Sequence, residues 1–298
     1  MLVRAALSRL VADAPVPRVR ALCVHGLGLG AWLWEPWLPT FHDAGVSVVA
    51  PTLPGHGGDT TNVGVGDLLA AVEAELDRLP TDLPVALVGH SLGGLLAQIV
   101  LSRRALHAGV LVCPMAPGQI FSVPDKRGLR FLPESLFPTL AGRPYRPSWA
   151  AYRLLGLEAA EEAEARAFYE RVTAWPNRIC RELARRPVVD HERVSSPVLV
   201  ALGGRDLMSP WTRTRLLGDL YEAVVWRYDD LGHSPTHEPG GLRMARDVAH
   251  FCVEPRRPTV IESEGYAPGE GIGTVARRER RGEAMKRRSA YGQKGSGR

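Results

Sequence analysis

The sequence predicts an α/β protein built on a mostly parallel, doubly wound sheet. Three observations carry the prediction. Short apolar runs rich in valine and leucine recur at 20–24, 46–50, 85–88, 108–113, 197–202 and 223–228. Segments of helical periodicity lie between several of them, the alternation expected of βαβ units around a buried parallel sheet. The run at 85–88 passes straight into Gly89-His90-Ser91-Leu92-Gly93-Gly94 and then into an apolar helical segment, which puts a serine on a tight strand-to-helix turn.

In chain order, the first strong strand, 20–24, runs into the glycine-rich stretch His25-Gly26-Leu27-Gly28-Leu29-Gly30. Trp32, Trp34, Trp37 and Phe41 follow, read as packing residues of a helix that Gly45 ends. The strand at 46–50 turns through Pro51-Thr-Leu-Pro54-Gly55-His56-Gly57-Gly58, where His56 reads as a loop residue. Residues 66–79 have helical periodicity, with Asp67 as the expected N-cap. Pro80 and Pro84 bracket the link to the strand that precedes Ser91. A further strand at 108–113 closes the first half of the pattern.

Between Pro114 and Ser196 the alternation breaks, in a stretch of many prolines, several aromatics and helical runs at 157–172 and 177–185. A structureless loop of that length is improbable in a compact domain, so a helical insertion is expected. The pattern resumes with the strand at 197–202 and Gly203-Gly204-Arg205-Asp206, a helix near 211–220, the strand at 223–228, the loop Asp229-Asp230-Leu231-Gly232-His233-Ser234-Pro235, and a last helix at 241–252.

Composition bounds the remainder. At 298 residues and 45% apolar content, the chain can bury a sizeable core. The formal net charge of +5 lies wholly in 254–298, which hold 11 Lys/Arg against 6 Asp/Glu, so the body is neutral. That tail, rich in proline, glycine and arginine and without apolar periodicity, is expected to be disordered, open to a weak polyanion contact. Cys23, Cys113, Cys180 and Cys252 form no CxxC pair. Arginines interrupt the first residues where a signal peptide needs an apolar core, and no stretch approaches the ~18 apolar residues of a membrane span. A cytoplasmic protein is expected.

Ser91 carries the chemistry. Such a turn strains the backbone at the serine, lifts its hydroxyl clear of the sheet and starts a helix whose free N–H groups point outward. Gly89 and Gly93 are expected because side chains there would collide across the turn. Leu92 N–H then lies where an oxyanion would form. With a buried strand before it and a helix after it, this stretch resembles the nucleophile elbow of the α/β-hydrolase superfamily, as serine esterases carry it. Leu231-Gly-His233 and Gly203-Gly-Arg-Asp206 resemble the histidine and acid loops of that family, and His25-Gly26 its oxyanion loop. The resemblance spans about residues 18–253.

The resemblance implies the α/β-hydrolase fold, with a core of 1–113 and 197–253 and a helical cap of 114–196 between strands six and seven. It implies a catalytic order of serine, acid and histidine, matched by Ser91, Asp206 and His233, with Leu27 N–H as the second oxyanion donor. A serine needs a base to take its proton, and histidine titrates near neutrality. Rivals exist on the page: His25, His56, His90 and His237 lie near motif loops, and Asp229 and Asp230 share the loop of His233. His233 and His237 have the spacing of a zinc pair, but Pro235 argues against the helix that spacing requires and no Glu follows the first histidine. Gly26-x-Gly28-x-x-Ala31 loosely fits a dinucleotide fingerprint, yet 46–52 holds no acidic residue. No metal and no cofactor is expected.

The expected activity is hydrolysis of a carboxylic ester or thioester of a small, apolar substrate through an acyl-enzyme. Amidase, C–C bond hydrolase, perhydrolase and lyase chemistries use the same constellation, and a non-catalytic ligand-binding member is a further alternative. Phe121, Leu129, Phe131, Leu132, Phe137, Tyr145, Trp149 and Tyr152 are more apolar groups than the cap needs for packing, so apolar pocket walls are expected among them. Neither the residues that bind substrate nor the oligomeric state can be read from the chain.

Overall fold

The protein's structure is a computed structural model that describes residues 9–57, 62–121 and 125–258. Most of the basic tail, 259–298, and the first residues of the chain lie outside the described residues.

Valine-rich, fully buried segments cannot leave backbone groups unpaired, and here they pair edge to edge in one sheet of seven strands. The strands are β1 (Arg9–Ala12), β2 (Val19–Val24), β3 (Val46–Pro51), β4 (Val85–His90), β5 (Ala108–Val112), β6 (Val198–Gly203) and β7 (Val224–Tyr228), in the order β1-β3-β2-β4-β5-β6-β7. All neighbours are parallel except β1 against β3. β1 was not anticipated: it is a four-residue edge strand whose residues alternate between exposed and half-buried, too little apolar signal to stand out.

Alternation along β2 shows the two layers. Ala21 and Cys23 face one side, with Trp34, Trp37, α1 (Leu38–Asp43) and α10 (Gly241–Val253). Leu22 and Val24 face the other, with α2 (Val65–Arg78), α3 (Leu92–Leu101) and α9 (Leu217–Tyr221). Both faces are covered, as a parallel sheet requires. Asp67 sits in the first turn of α2 rather than at its N-cap. Gly64 holds the cap position, and the Asp67 carboxylate reaches back to accept Gly64 N–H at 2.8 Å.

From β2 the chain steps outward to β3, then returns to place β4 on the other side of β2. The order reverses between β2 and β4, so the loops leaving these strands diverge and open a crevice at their carboxyl ends. Those loops carry Gly26 to Leu29 and Ser91.

The helical insertion joins β5 to β6. Counted over the described residues it follows the fifth strand, one fewer than the resemblance implies. It holds α4 (Leu132–Leu140), α5 (Trp149–Leu155), α6 (Glu162–Arg171) and α7 (Asn177–Ala184). α4 was not anticipated within that proline-rich stretch; Pro133 sits harmlessly in its first turn. The run expected from 157 becomes helical only at Glu162. The helix expected over 211–220 is two short ones, α8 (Trp211–Thr214) and α9. Among the described residues, no helix is long and apolar enough to cross a membrane.

Candidate active site

Ser91 stands between β4 and α3 with φ 52° and ψ −115°, a conformation that side chains rarely adopt. Three backbone bonds hold it there: Ser91 N–H donates to Val112 O at 3.1 Å, and Ser91 O accepts from Leu95 N at 3.2 Å and Met115 N at 2.9 Å. The glycines beside it are needed for two different reasons. A Cβ on Gly89 would lie 2.3 Å from Gly93 O, across the turn, as anticipated. A Cβ on Gly93 would instead meet Val24 O of the neighbouring strand at 2.2 Å, so the sheet and not the turn excludes it.

The carboxyl ends of β4, β6 and β7 bring Ser91, Asp206 and His233 together, although 142 positions separate the serine from the histidine. Asp206 Oδ1 accepts N–H bonds from Met208 (2.9 Å) and Ser209 (2.7 Å), which fixes the carboxylate with Oδ2 free to face His233. His233 Nδ1 lies 2.9 Å from Asp206 Oδ2, and a carboxylate only accepts, so Nδ1 carries the proton. Nε2 is then the acceptor, and Ser91 Oγ–H donates to it at 3.0 Å. Asp206 and His233 are nearly closed to solvent, at 3% and 5% exposure.

The rivals lie elsewhere. Asp229 pairs with Arg227, and Asp230 with Arg243, at the exposed end of the loop. His56 and His25 are buried edge to face, 5.0 Å between centroids, with His56 Nδ1 on Pro54 O and His25 accepting Leu53 N–H. His237 lies in the 3-10 turn Pro235–His237, against Phe168 and Trp32. Burial foremost, with the Arg171 charge added, brings it down to about 4. Residues 233–237 therefore lack the helical spacing of a zinc pair. Among the described residues no group of three or more His, Cys, Asp or Glu side chains is placed to hold a metal.

Three side chains that sequence reasoning did not single out for this role converge on the histidine loop. His90 Nε2–H donates to His233 O at 2.8 Å. Burial, and then the nearby His233, depresses His90 to about 3, so it stays neutral. Glu158 Oε1 accepts His233 N–H at 2.9 Å, and Glu238 accepts Gly232 N–H and Ser234 N–H. Glu238 follows His233 by five positions and could have been noticed; Glu158, 75 positions away in the insertion, leaves no signal in the sequence.

Ser91 and His233 open on a cavity of about 240 Å³. Its core-side wall includes Leu27, Leu29 and Leu95, and the insertion contributes Ile120, Tyr152, Trp175 and Leu183, with Arg186 also on the lining. Of the aromatic and leucine side chains expected to wall it, only Tyr152 does so; Phe121, Leu129, Leu132 and Phe137 are exposed, and Tyr145 packs on Trp175. None of Trp32, Trp34 and Trp37 lines it. Among the described residues, neither Leu27 N–H nor Leu92 N–H donates a hydrogen bond within the protein.

Comparison with known proteins agrees with this architecture. The model of the alpha/beta hydrolase family matches residues 21–245. The chain is 30% identical over 240 residues to a pimeloyl-(acyl-carrier protein) methyl ester esterase of Aromatoleum aromaticum, covering 71% of this chain and 90% of that protein. Among solved structures, a lipase-esterase related protein from Clostridium acetobutylicum superposes with a TM-score of 0.65 at 14% identity, covering 83% of this chain and all of the other. A monoacylglycerol lipase from Paleococcus ferrophilus gives 0.64 at 19%, covering 83% and 98%. At these identities the structural likeness is one of fold.

Proposed function

The chain belongs to the alpha/beta hydrolase family, whose members similar to it include ester hydrolases, and from that footing we propose that it cleaves carboxylic esters through an acyl-enzyme on Ser91. The observation that carries the reading is the continuous chain of hydrogen bonds from Ser91 Oγ through His233 to Asp206, at 3.0 and 2.9 Å, opening on an apolar cavity.

In this reading His233 Nε2 takes the hydroxyl proton as Ser91 Oγ attacks the ester carbonyl carbon. Negative charge then develops on the carbonyl oxygen, which Leu27 N–H and Leu92 N–H are offered to receive; one such donor is worth about 10²–10³ in rate. Asp206 holds the imidazole in the tautomer that can accept and balances the imidazolium. The imidazolium returns its proton to the leaving alcohol. Water then attacks the acyl-enzyme, with His233 again the base, and releases the acid. Among the described residues neither amide has a partner within the protein, which supports the reading that both are available when charge appears.

The region 114–196 acts as a cap in this reading, because it supplies one wall of the cavity. That wall is apolar apart from Arg186, which favours an apolar acyl or alcohol group. The similarity to a methyl ester esterase that acts on a carrier-bound acid makes methyl esters and acyl thioesters the first substrates to examine. A fluorophosphonate probe tests the mechanism directly. Stoichiometric labelling of wild type at Ser91, absent in Ser91→Ala, is the expected result. A folded wild-type chain that takes no label would leave the ligand-binding alternative standing instead.

A further inference from the structure

Three consecutive backbone amides of the histidine loop, those of Gly232, His233 and Ser234, all donate to buried carboxyl groups. Two of the three go to Glu238, on the same loop. The middle one, at His233 itself, goes to Glu158 at 2.9 Å, and Glu158 belongs to the insertion. The space beside Gly232 shows how tightly the two acids close on this loop: a Cβ there would lie 2.5 Å from Glu158 Oε1 and 2.9 Å from Glu238 Oε1.

The segment bearing Glu158 is itself fixed. It links α5 to α6, with Leu157 and Ala160 buried on either side of the acid. Arg153 reaches forward from α5 to bond Leu157 O and Ala160 O, gripping the segment at both ends. The other carboxyl oxygen, Glu158 Oε2, is buried and has no partner among the described residues. A carboxyl in that state is an expensive way to satisfy one N–H if the loop needed only to be sealed. An acceptor from the core would have served as well without tying the insertion to the base.

We propose that Glu158 is a positioning residue: through its bond to His233 N–H, the insertion sets the register of the histidine loop and so the reach of Nε2 to Ser91 Oγ. The inference rests on the serine reading above. Burial foremost, and then the Asp206 and Glu238 charges, raises Glu158 well above the usual carboxyl range, so the group that accepts this bond is favoured in its neutral form. An amide of the same shape can therefore replace it, whereas a shorter acid cannot reach.

Three variants of the full chain decide the matter, assayed on a p-nitrophenyl ester alongside fluorophosphonate labelling of wild type. Glu158→Ala is expected to lower kcat by about 10- to 100-fold with KM within about twofold, since misplacement of a reacting group by an ångström has costs of that order. Glu158→Asp, milder toward folding, should lower kcat about tenfold in the same pattern and decides alone if the alanine variant does not fold. Glu158→Gln should restore most of the lost turnover. A folded Glu158→Asp or Glu158→Ala with wild-type kcat overturns the proposal, as does a change confined to KM, which would make Glu158 a mere wall of the cavity. A glutamine variant as slow as the alanine one also overturns it. A wild-type chain that takes no label overturns the serine reading and this inference together; a labelled wild type with indifferent variants overturns this inference alone.

Discussion

His90 Nε2 and the carbonyl oxygen of His233 lie 2.8 Å apart, so the residue just before the elbow serine grips the main chain of the histidine that faces it. The serine turn and the histidine loop are thereby joined twice, once through the side chains of Ser91 and His233 and once beneath them. His90→Leu removes the donor without adding bulk. Its kcat is expected to fall about 10- to 100-fold with KM little changed. Urea unfolding should show a loss of about 1–3 kcal/mol for the orphaned carbonyl. Wild-type turnover in a folded His90→Leu would show that the second link is dispensable.

Ser91 and three of the histidines, His233, His237 and His56, should separate cleanly by substitution. Ser91→Ala and His233→Ala are each expected to lower ester turnover by about 10⁴-fold or more while leaving the fold intact. His237→Ala should lose less than about tenfold, because its ring packs on Phe168 and Trp32 and does not line the cavity. His56→Ala should act through stability, as its ring is buried against His25. Abolished turnover in a folded His237→Ala, with His233→Ala active, would reverse the assignment of the base.

Leu183 on α7 stands on the insertion's side of the cavity. Leu183→Trp should shorten the space open to an acyl chain. For p-nitrophenyl octanoate kcat/KM is expected to drop about tenfold or more relative to the acetate ester, a methylene in an apolar pocket being worth about 1–3 kcal/mol. An unchanged ratio would mean that the acyl group lies elsewhere in the cavity.

Stability should rise with pH between about 5 and 6.5, and the sign follows from opposed groups. Burial holds His25, His56, His90 and His237 below their ordinary 6.5, the last two at about 3 and 4. Their contribution is complete above 6.5 and is lost as pH falls. Glu158 and Glu238 are raised by burial, Glu238 to about 7, so their contribution is complete below 4.5 and is lost as pH climbs. Around pH 5.5 the four histidines favour proton uptake on unfolding against release by the two carboxyls, so net uptake is expected. Denaturant titrations at pH 5.0 and 6.5 should place the higher midpoint at 6.5; equal or inverted midpoints would refute this balance.

Much of the sheet was legible because buried parallel strands must be almost continuously apolar, and residues 21–24, 48–50 and 197–202 are so throughout. Ser91 stood out because a Cβ at either flanking glycine would meet backbone, a constraint that leaves its mark in the sequence. Asp206 and His233 could be placed at strand ends, where open sheets gather functional groups, and the resemblance chose them over Asp229, Asp230 and His237. What escaped notice depends on contacts between distant segments. Glu158 meets His233 only once the insertion has folded back, and its sequence neighbours read as an ordinary acidic helix start. The cavity wall was misread for a related reason: Phe121, Leu129, Leu132 and Phe137 are apolar yet exposed, while the wall falls to Ile120, Trp175 and Leu183. Periodicity reports which face of a helix is apolar, not what that face will meet.

Because Ser91 comes 142 residues before His233, the ribosome makes the proposed nucleophile long before its proposed base. A growing chain displays an elbow with no partner imidazole, and β7, which delivers the histidine loop, can join the sheet only after β6 has emerged. Met244, Ala245 and Val248 of α10 then close over the strands. In the reading proposed above, hydrolytic competence therefore waits for β7 and the loop that follows it, and an interrupted translation product that ends before β7 carries the serine without its reactivity.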